Sequence, residues 1–419
     1  MTDKIEITAG TTNARHRAQR RFKLYGLMAI VISLGFLLAM VGSIAFRSHT
    51  AFKQGFVQIE LPLDASKIDA QNIKATRFGS VLKKSLLAEF PEAKTRRDKK
   101  ALYALVSATS EYTIRDEVIE NPSIIGGTHK FWIRVSSDVD SYLKGQVDTT
   151  LDEGQRRLND KQIGWIDRWV EEGKIERRFN SQFFTGGDSR EPEQAGILGA
   201  VIGSIFSLLV CFGLSFPLGV MAAVYLEEFS NKNRLSRIIE VNINNLAAVP
   251  SIVFGLLGLA IFLNFFGLPR STPLVGGMVL ALMTLPTIII ASRASLRAVP
   301  PSIRQAAMGL GASKVQTTFH HVVPLAMPGM LTGSIIGMAQ ALGETAPLLM
   351  IGMVAFIVDV PQGITDAATA LPVQIFLWAD SPERGFMEKT SAAIMVLLGF
   401  LIVMNLLAII LRRRLERRW

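Results

Sequence analysis

Long apolar runs dominate two parts of this chain, and a polar stretch with mixed charge separates them. The first run extends from about Tyr25 to Phe46, behind a basic segment carrying Arg15, Arg17, Arg20, Arg21 and Lys23. A secretory signal peptide has an apolar core of only about 7–15 residues. This run approaches the ~20 that cross a bilayer, so it is read as an uncleaved first span. Further apolar stretches lie at about 196–225, 246–266, 274–291, 328–356 and 391–411. The chain is therefore expected to cross a membrane about six times. Pro217, Pro250, Pro286 and Pro347 fall inside these runs and are expected to kink some of the spans, because proline lacks an N–H and crowds the preceding turn.

The polar stretch follows a different rule. Gly55 to Leu61 and His129 to Val135 alternate apolar and polar side chains with period two, the mark of half-buried strands. Between them, Val81 to Phe90 and Lys99 to Ile119 read as helices, and Thr150 to Phe179 as a longer one. The predicted class is mainly α, a polytopic membrane protein with a soluble α+β domain between the first and second spans. The boundaries are a cytoplasmic N-terminus and first span over 1–47, the soluble domain over 48–190, a membrane core of about five spans over 191–411, and a basic tail over 412–419.

Charge sets the orientation. Lys232, Arg234 and Arg237 follow the second span; Arg293, Arg297, Arg304 and Lys314 follow the fourth; Arg412, Arg413, Arg414, Arg417 and Arg418 follow the last. The loops near residue 270 and over 357–390 carry fewer cations. The positive-inside rule then puts both termini in the cytoplasm and residues 48–190 outside. The net charge of +10 and mean hydropathy of +0.32 agree with basic flanks on membrane spans. Cations placed this way argue against nucleic acid as a partner and for the lipid bilayer. Cys211 is the single cysteine, so no internal disulfide forms.

No phosphate-cradling G-x-x-x-x-G-K-[ST] loop, zinc spacing or nucleophile elbow is present, and neighbouring His320 and His321 cannot reach one metal from a helix. No catalytic residue, metal site or cofactor is expected in the chain. Uphill transport would draw its energy from a partner or from an ion gradient. The most informative segment is the cytoplasmic loop before the fifth span: Arg304-Gln305-Ala306-Ala307-Met308-Gly309-Leu310-Gly311-Ala312-Ser313, then His321-Val322-Val323-Pro324-Leu325. Its composition reads as a docking element, with Ala306 and Ala307 offering a flat surface, Gly311 a sharp turn and Pro324 the start of the next segment. An ordinary interfacial helix has the same composition.

This loop resembles the EAA loop of ABC importer permeases at Gln305, Ala306, Ala307, Gly311, Val323 and Pro324, with Gln305 standing where the pattern has an acid. Pro217-Leu218-Gly219-Val220 with Ala223 to Glu228, Pro250 to Leu256, Gly343 to Leu349 and Leu371 to Ile375 resemble signatures of phosphate permeases. The chain is similar to the A-type permeases of Pst phosphate importers, in a variant with a long extracytoplasmic insert. The resemblance implies the type I ABC importer permease fold and a place in a bacterial inner (plasma) membrane. It implies a C-type permease partner, two copies of a cytoplasmic ATP-binding subunit that carry ATP and Mg, and a periplasmic phosphate-binding protein. Sulfate or molybdate as cargo, a membrane-bound sensor, and an ion-driven carrier are the alternatives.

Glu344 lies in an otherwise apolar or small run, where a bare carboxylate costs roughly 2.5 kcal/mol or more. Two readings stay open: a gating ion pair on the translocation path, or a structural pair between helices. Arg293, at the inner end of the fourth span, is the expected local partner, with a membrane-surface anchor as its other reading. Gly187-Asp188-Ser189-Arg190 is either an anion-binding nest or a plain loop.

Overall fold

A computed structural model describes residues 9–66, 68, 73, 76–231 and 233–415. Lys232, Arg417 and Arg418 lie outside the described residues. The first helix, α1 (Ala9–Ser48), carries the first apolar run, runs alongside α17 and leaves the rest of its surface exposed, as a lipid-facing span requires. It delivers the chain into a three-stranded antiparallel sheet in the order β2-β1-β3. The expected strands are β1 (Lys53–Pro62) and β2 (Thr128–Arg134), registered Val57 to Ile133 and Ile59 to Phe131. Their alternation does what was expected of it. Val57, Ile59 and Leu61 point into one core with Phe131 and Ile133, packed under α2 (Phe78–Glu89).

Two expectations fail in this domain. The helix expected over 99–119 is two helices, α3 (Arg96–Tyr103) and α4 (Ser110–Glu120). Between them Val106 bridges Val135, and Ser107 and Ser110 turn their hydroxyls onto local groups, which competes with helical bonding. After α5 (Ser137–Leu143), the long helix expected over 150–179 shortens to α6 (Asp160–Glu171), followed by β3 (Ile175–Phe179). Asn159 and Gln162 close a capping box at its start, with the Gln162 N–H donating to Asn159 Oδ1 at 2.8 Å. Gly173, at φ +65°, ends it in the left-handed conformation, and the chain leaves as β3 beside β1.

The domain is locked to the membrane core. Beyond α7 (Ser181–Thr185), Gly187 passes so close to Val358 that a Cβ would lie 1.8 Å from its carbonyl oxygen. Asp188 accepts from Trp378 Nε1 at 3.0 Å and from the Ser189 N–H at 2.9 Å. That segment is packed backbone with an acid in it, not an open anion nest.

The core comprises α8 (Leu198–Val224, continued by a π turn to Phe229), α9 (Arg234–Ala247), α10 (Ser251–Gly258, continued to Phe265), α11 (Pro273–Ala298), α12 (Pro301–Gly309), α13 (Lys314–Gln316), α14 (Val323–Gly343), α15 (Ala346–Met350), α16 (Leu371–Ala379) and α17 (Gly385–Leu415). Among the described residues, five helices are long and apolar enough to cross a membrane, and six if α9 and α10, bent by 101°, count as one broken span. Helices α8 and α11 approach through small residues: a Cβ on Gly277 would lie 2.6 Å from the Ser207 carbonyl.

The prolines act unequally. Pro250 stands at the α9–α10 bend and Pro347 in the first turn of α15. Pro286, expected to kink its helix, lies buried inside α11, which runs through it unbroken. Pro324 does not start a new segment either: helix continues from Lys314 to Gly343, with π geometry over Thr317–Val322 just before it. The span expected over 328–356 stops at Gly343. Arg412 to Arg414 belong to α17 rather than to a tail, and Arg412 reaches Thr332 on α14.

Candidate coupling and translocation site

The loop after α11 builds its own geometry. Pro301 opens α12 at a position where the N–H has no helical partner anyway. Gly311, at φ +91°, turns the chain left-handed, and nothing lies within 4 Å of where its side chain would be, so backbone conformation alone asks for glycine there. Ser313 restarts the helix through a capping box with Gln316. Gln305 and Ala306 face outward, whereas Ala307 turns into the protein at 8% exposure. Adjacent helical residues point about 100° apart, so the two alanines do not form the single flat surface expected of them. The outward apolar area comes instead from Met308, Leu310, Val315 and Phe319, with Leu310 91% exposed. Ala312 is half-buried beside this patch. A patch of this kind on a loop marks a contact surface.

Beneath the loop lies an ionic cluster that spacing along the chain does not reveal. Arg304 of α12 reaches Glu228 at the end of α8, Nη2 to Oε1 at 2.6 Å and Nε to the same oxygen at 3.2 Å. The same guanidinium donates to the Leu296 and Val299 carbonyls at 2.9 and 2.8 Å, satisfying the open C-terminal end of α11. Glu227 accepts from Arg297 at 2.8 Å and from Arg293 Nε at 3.4 Å, and Arg293 also pairs with Glu240 of α9. Helices α8, α9, α11 and α12 are thereby tied at one end. The signal for this was present: two adjacent acids at the end of one span, and arginines following another.

That cluster settles where Arg293 goes. It does not meet Glu344, since Glu227 and Glu240 hold it at the base of the bundle. Glu344 itself is not inside a helix. It caps α14 at ψ +124°, half-buried, and forms no ion pair among the described residues. The break that exposes it faces the break at Pro250: a Cβ on Gly255 would lie 2.6 Å from Pro347 Cα and 2.9 Å from Met350 Cβ. Two interrupted helices thus pack directly on each other. Within a bilayer, irregular backbone is tolerated only where protein buries it or a polar cavity receives it.

At the other end, α5 of the insert carries a buried ion pair with α17. Lys144 Nζ lies 2.5 Å from Asp140 and 2.7 Å from Glu388, each side chain no more than 10% exposed. Asp140 also accepts from the Gly55 N–H at 2.8 Å. Burial pushes the Asp140 carboxyl up, against the pull of Lys144.

Residues 215–419 match the family described as "binding-protein-dependent transport system inner membrane component", and residues 9–153 match a domain of unknown function, DUF3333. The phosphate transport system permease protein PstA 1 of Mycobacterium tuberculosis H37Rv is 33% identical over 229 residues, 54% of this chain and 73% of its own. This chain belongs to the PstA family of phosphate transport system permeases. The PstA of Pasteurella multocida is 28% identical over 220 residues, 52% of this chain and 76% of that one. A chain of the MetNI methionine ABC transporter aligns over 53% of this chain and 95% of its own, at 15% identity and a TM-score of 0.43. As a PstA-type permease the protein is a multi-pass membrane protein. Its core is the type I ABC importer permease fold, in which α12 and the Glu227–Glu228 cluster hold the loop against the spans.

Proposed function

We infer that this chain is the transmembrane permease subunit of an ATP-driven importer, forms the translocation path for inorganic phosphate, and couples to a separate ATPase through α12. The observation that carries the reading is the fastening of α12 by Arg304 to Glu228 and to the end of α11, under an outward apolar patch, in a PstA-family chain. A partner that grips Met308, Leu310 and Phe319 moves α12, and the fastening passes the displacement to α8 and α11.

The assembly proposed is a heterodimer with a C-type permease, two cytoplasmic ATP-binding subunits that bind ATP and Mg, and a periplasmic phosphate-binding protein. The chain would reside in the inner membrane with both termini cytoplasmic, and its four regions would divide at 47, 190 and 411. Glu344 would lie near the path without binding phosphate directly, because a carboxylate repels the anion. A cation supplied by the second permease subunit would pair with it in one state and leave it in the other. Purification from membranes tests the assembly: an ATPase should accompany the wild-type chain, and Leu310→Asp with Phe319→Asp should release it. Retention of the ATPase by that variant would place the docking surface elsewhere.

A further inference from the structure

Where the insert meets the ends of α1 and α17 there is a cavity of about 720 Å³. Arg47, Lys144, Arg156, Arg157 and Arg384 line it, against three carboxylates. Those acids already have partners. Glu388 accepts from Lys144, Asp138 lies 3.7 Å from Arg157, and Asp148 accepts from the Thr150 N–H and hydroxyl at 2.9 and 2.6 Å. The cations are not all matched. Arg47 forms no ion pair among the described residues, and Arg384 makes no close ion pair there, sharing the field of Asp138 with Arg157. Arg156 has a side chain only 8% exposed; Nη2 reaches Asp160 at 2.5 Å, but Nε finds no acceptor among the described residues. A buried donor without an acceptor carries a desolvation penalty that an anion in the cavity would remove.

The cavity also has an apolar wall at a definite depth. Phe46 is 77% exposed and Met387 64% exposed, and each stands at the insert-side end of a helix with the composition of a membrane span. Guanidinium groups above apolar surface at that level match a phosphate group over acyl chains. Arginine's planar fork suits phosphate oxygens better than a point charge does.

We propose that this cavity binds a phosphate-group anion held by Arg47, Arg156 and Arg384. Its two sources are the headgroup of an anionic phospholipid and free inorganic phosphate. The site is separate from the coupling loop and the helix breaks, and its test reads binding rather than transport, so it stands or falls independently of the proposed function.

The experiment uses the full chain extracted from membranes with the subunits that accompany it. Native mass spectrometry measures retention of phosphatidylglycerol, with phosphatidylcholine as the uncharged comparison, and equilibrium dialysis measures labelled inorganic phosphate. Phosphatidylglycerol should be retained, and R47Q/R384Q should weaken it at least tenfold. K83Q/K100Q, which removes equal charge from a distant face of the insert, should leave it unchanged. Loss of the lipid on adding millimolar phosphate would assign the site to free phosphate as well; persistence would assign it to lipid. Equal binding of both probes by wild type and R47Q/R384Q would overturn the proposal. Should the double variant fail to fold, R384Q alone carries the same comparison, since Arg384 is exposed.

Discussion

Replacing Arg304 by glutamine should uncouple ATP hydrolysis from phosphate movement, and the size of the effect follows from its contacts. The guanidinium holds Glu228 through two nitrogens and two carbonyls of the last turn of α11. Breaking a fully buried ion pair costs about 3–5 kcal/mol, whereas an exposed one contributes about 0–1 kcal/mol. Here the two side chains are 21% and 10% exposed. An intermediate cost of about 2–3 kcal/mol is therefore expected. At about 1.4 kcal/mol per factor of ten, the attached arrangement of α12 would lose roughly 30- to 150-fold in its equilibrium. The assay is phosphate uptake and ATP hydrolysis measured together on the reconstituted complex. R304Q should keep hydrolysis and the associated ATPase while moving at least tenfold less phosphate per ATP. In a cycle with E228Q, the pair should show a coupling energy of about 1–3 kcal/mol. R304Q that moves phosphate and hydrolyses ATP in the wild-type ratio would refute the idea that this pair transmits the stroke.

Three further outcomes are expected. Gly255→Val should overpack the contact between the two broken helices by about 1–3 kcal/mol or more, because even its Cβ meets Pro347 Cα at 2.6 Å, and a thermal melt of the purified chain reads the loss. Gly311→Val should cost about 1–2 kcal/mol through backbone strain alone and lower ATPase copurification, whereas Gly309→Ala in the same loop should not. Burial pushes the Glu193 carboxyl up at the base of the insert. The folded chain thus binds this proton more tightly than the unfolded chain, so the contribution is full below the unfolded value and is lost as pH rises through the raised one. Amide protection factors near residue 193, after correction for intrinsic base-catalysed exchange, should fall across that rise in wild type, and Glu193→Gln should remove that fall.

The parts that showed in the sequence are those where one local pattern decides the outcome. Apolar run length is enough to find α1, α8, α11 and α17, and strict alternation is enough to find β1 and β2. The failures came where local preference met a longer-range demand. Ser107 and Ser110 broke a helix whose apolar spacing continued past them, because Val106 was wanted by Val135 across the sheet. β3 was hidden in an apparently helical stretch, since Gly173 ends α6 and only pairing with β1 makes the following residues extended. The apolar run through Gly343 to Phe356 carried no sign of its break beyond Glu344 and Pro347. Sequence separation does not choose among the acids for Arg293, since Glu227, Glu240 and Glu344 all lie more than 50 residues away, and only the packing of α8 and α9 on α11 brings the first two to it. The coupling loop is legible as a docking element, but which of its side chains face outward depends on how α12 rests on the π turn at Thr317–Val322.

Uptake of labelled phosphate by cells lacking this chain, at micromolar phosphate with and without excess sulfate, tests the central claim most directly. Uptake should fall when the chain is removed and return with it, and sulfate should not compete. Unchanged uptake in its absence, or phosphate entry that sulfate suppresses, would contradict a phosphate permease.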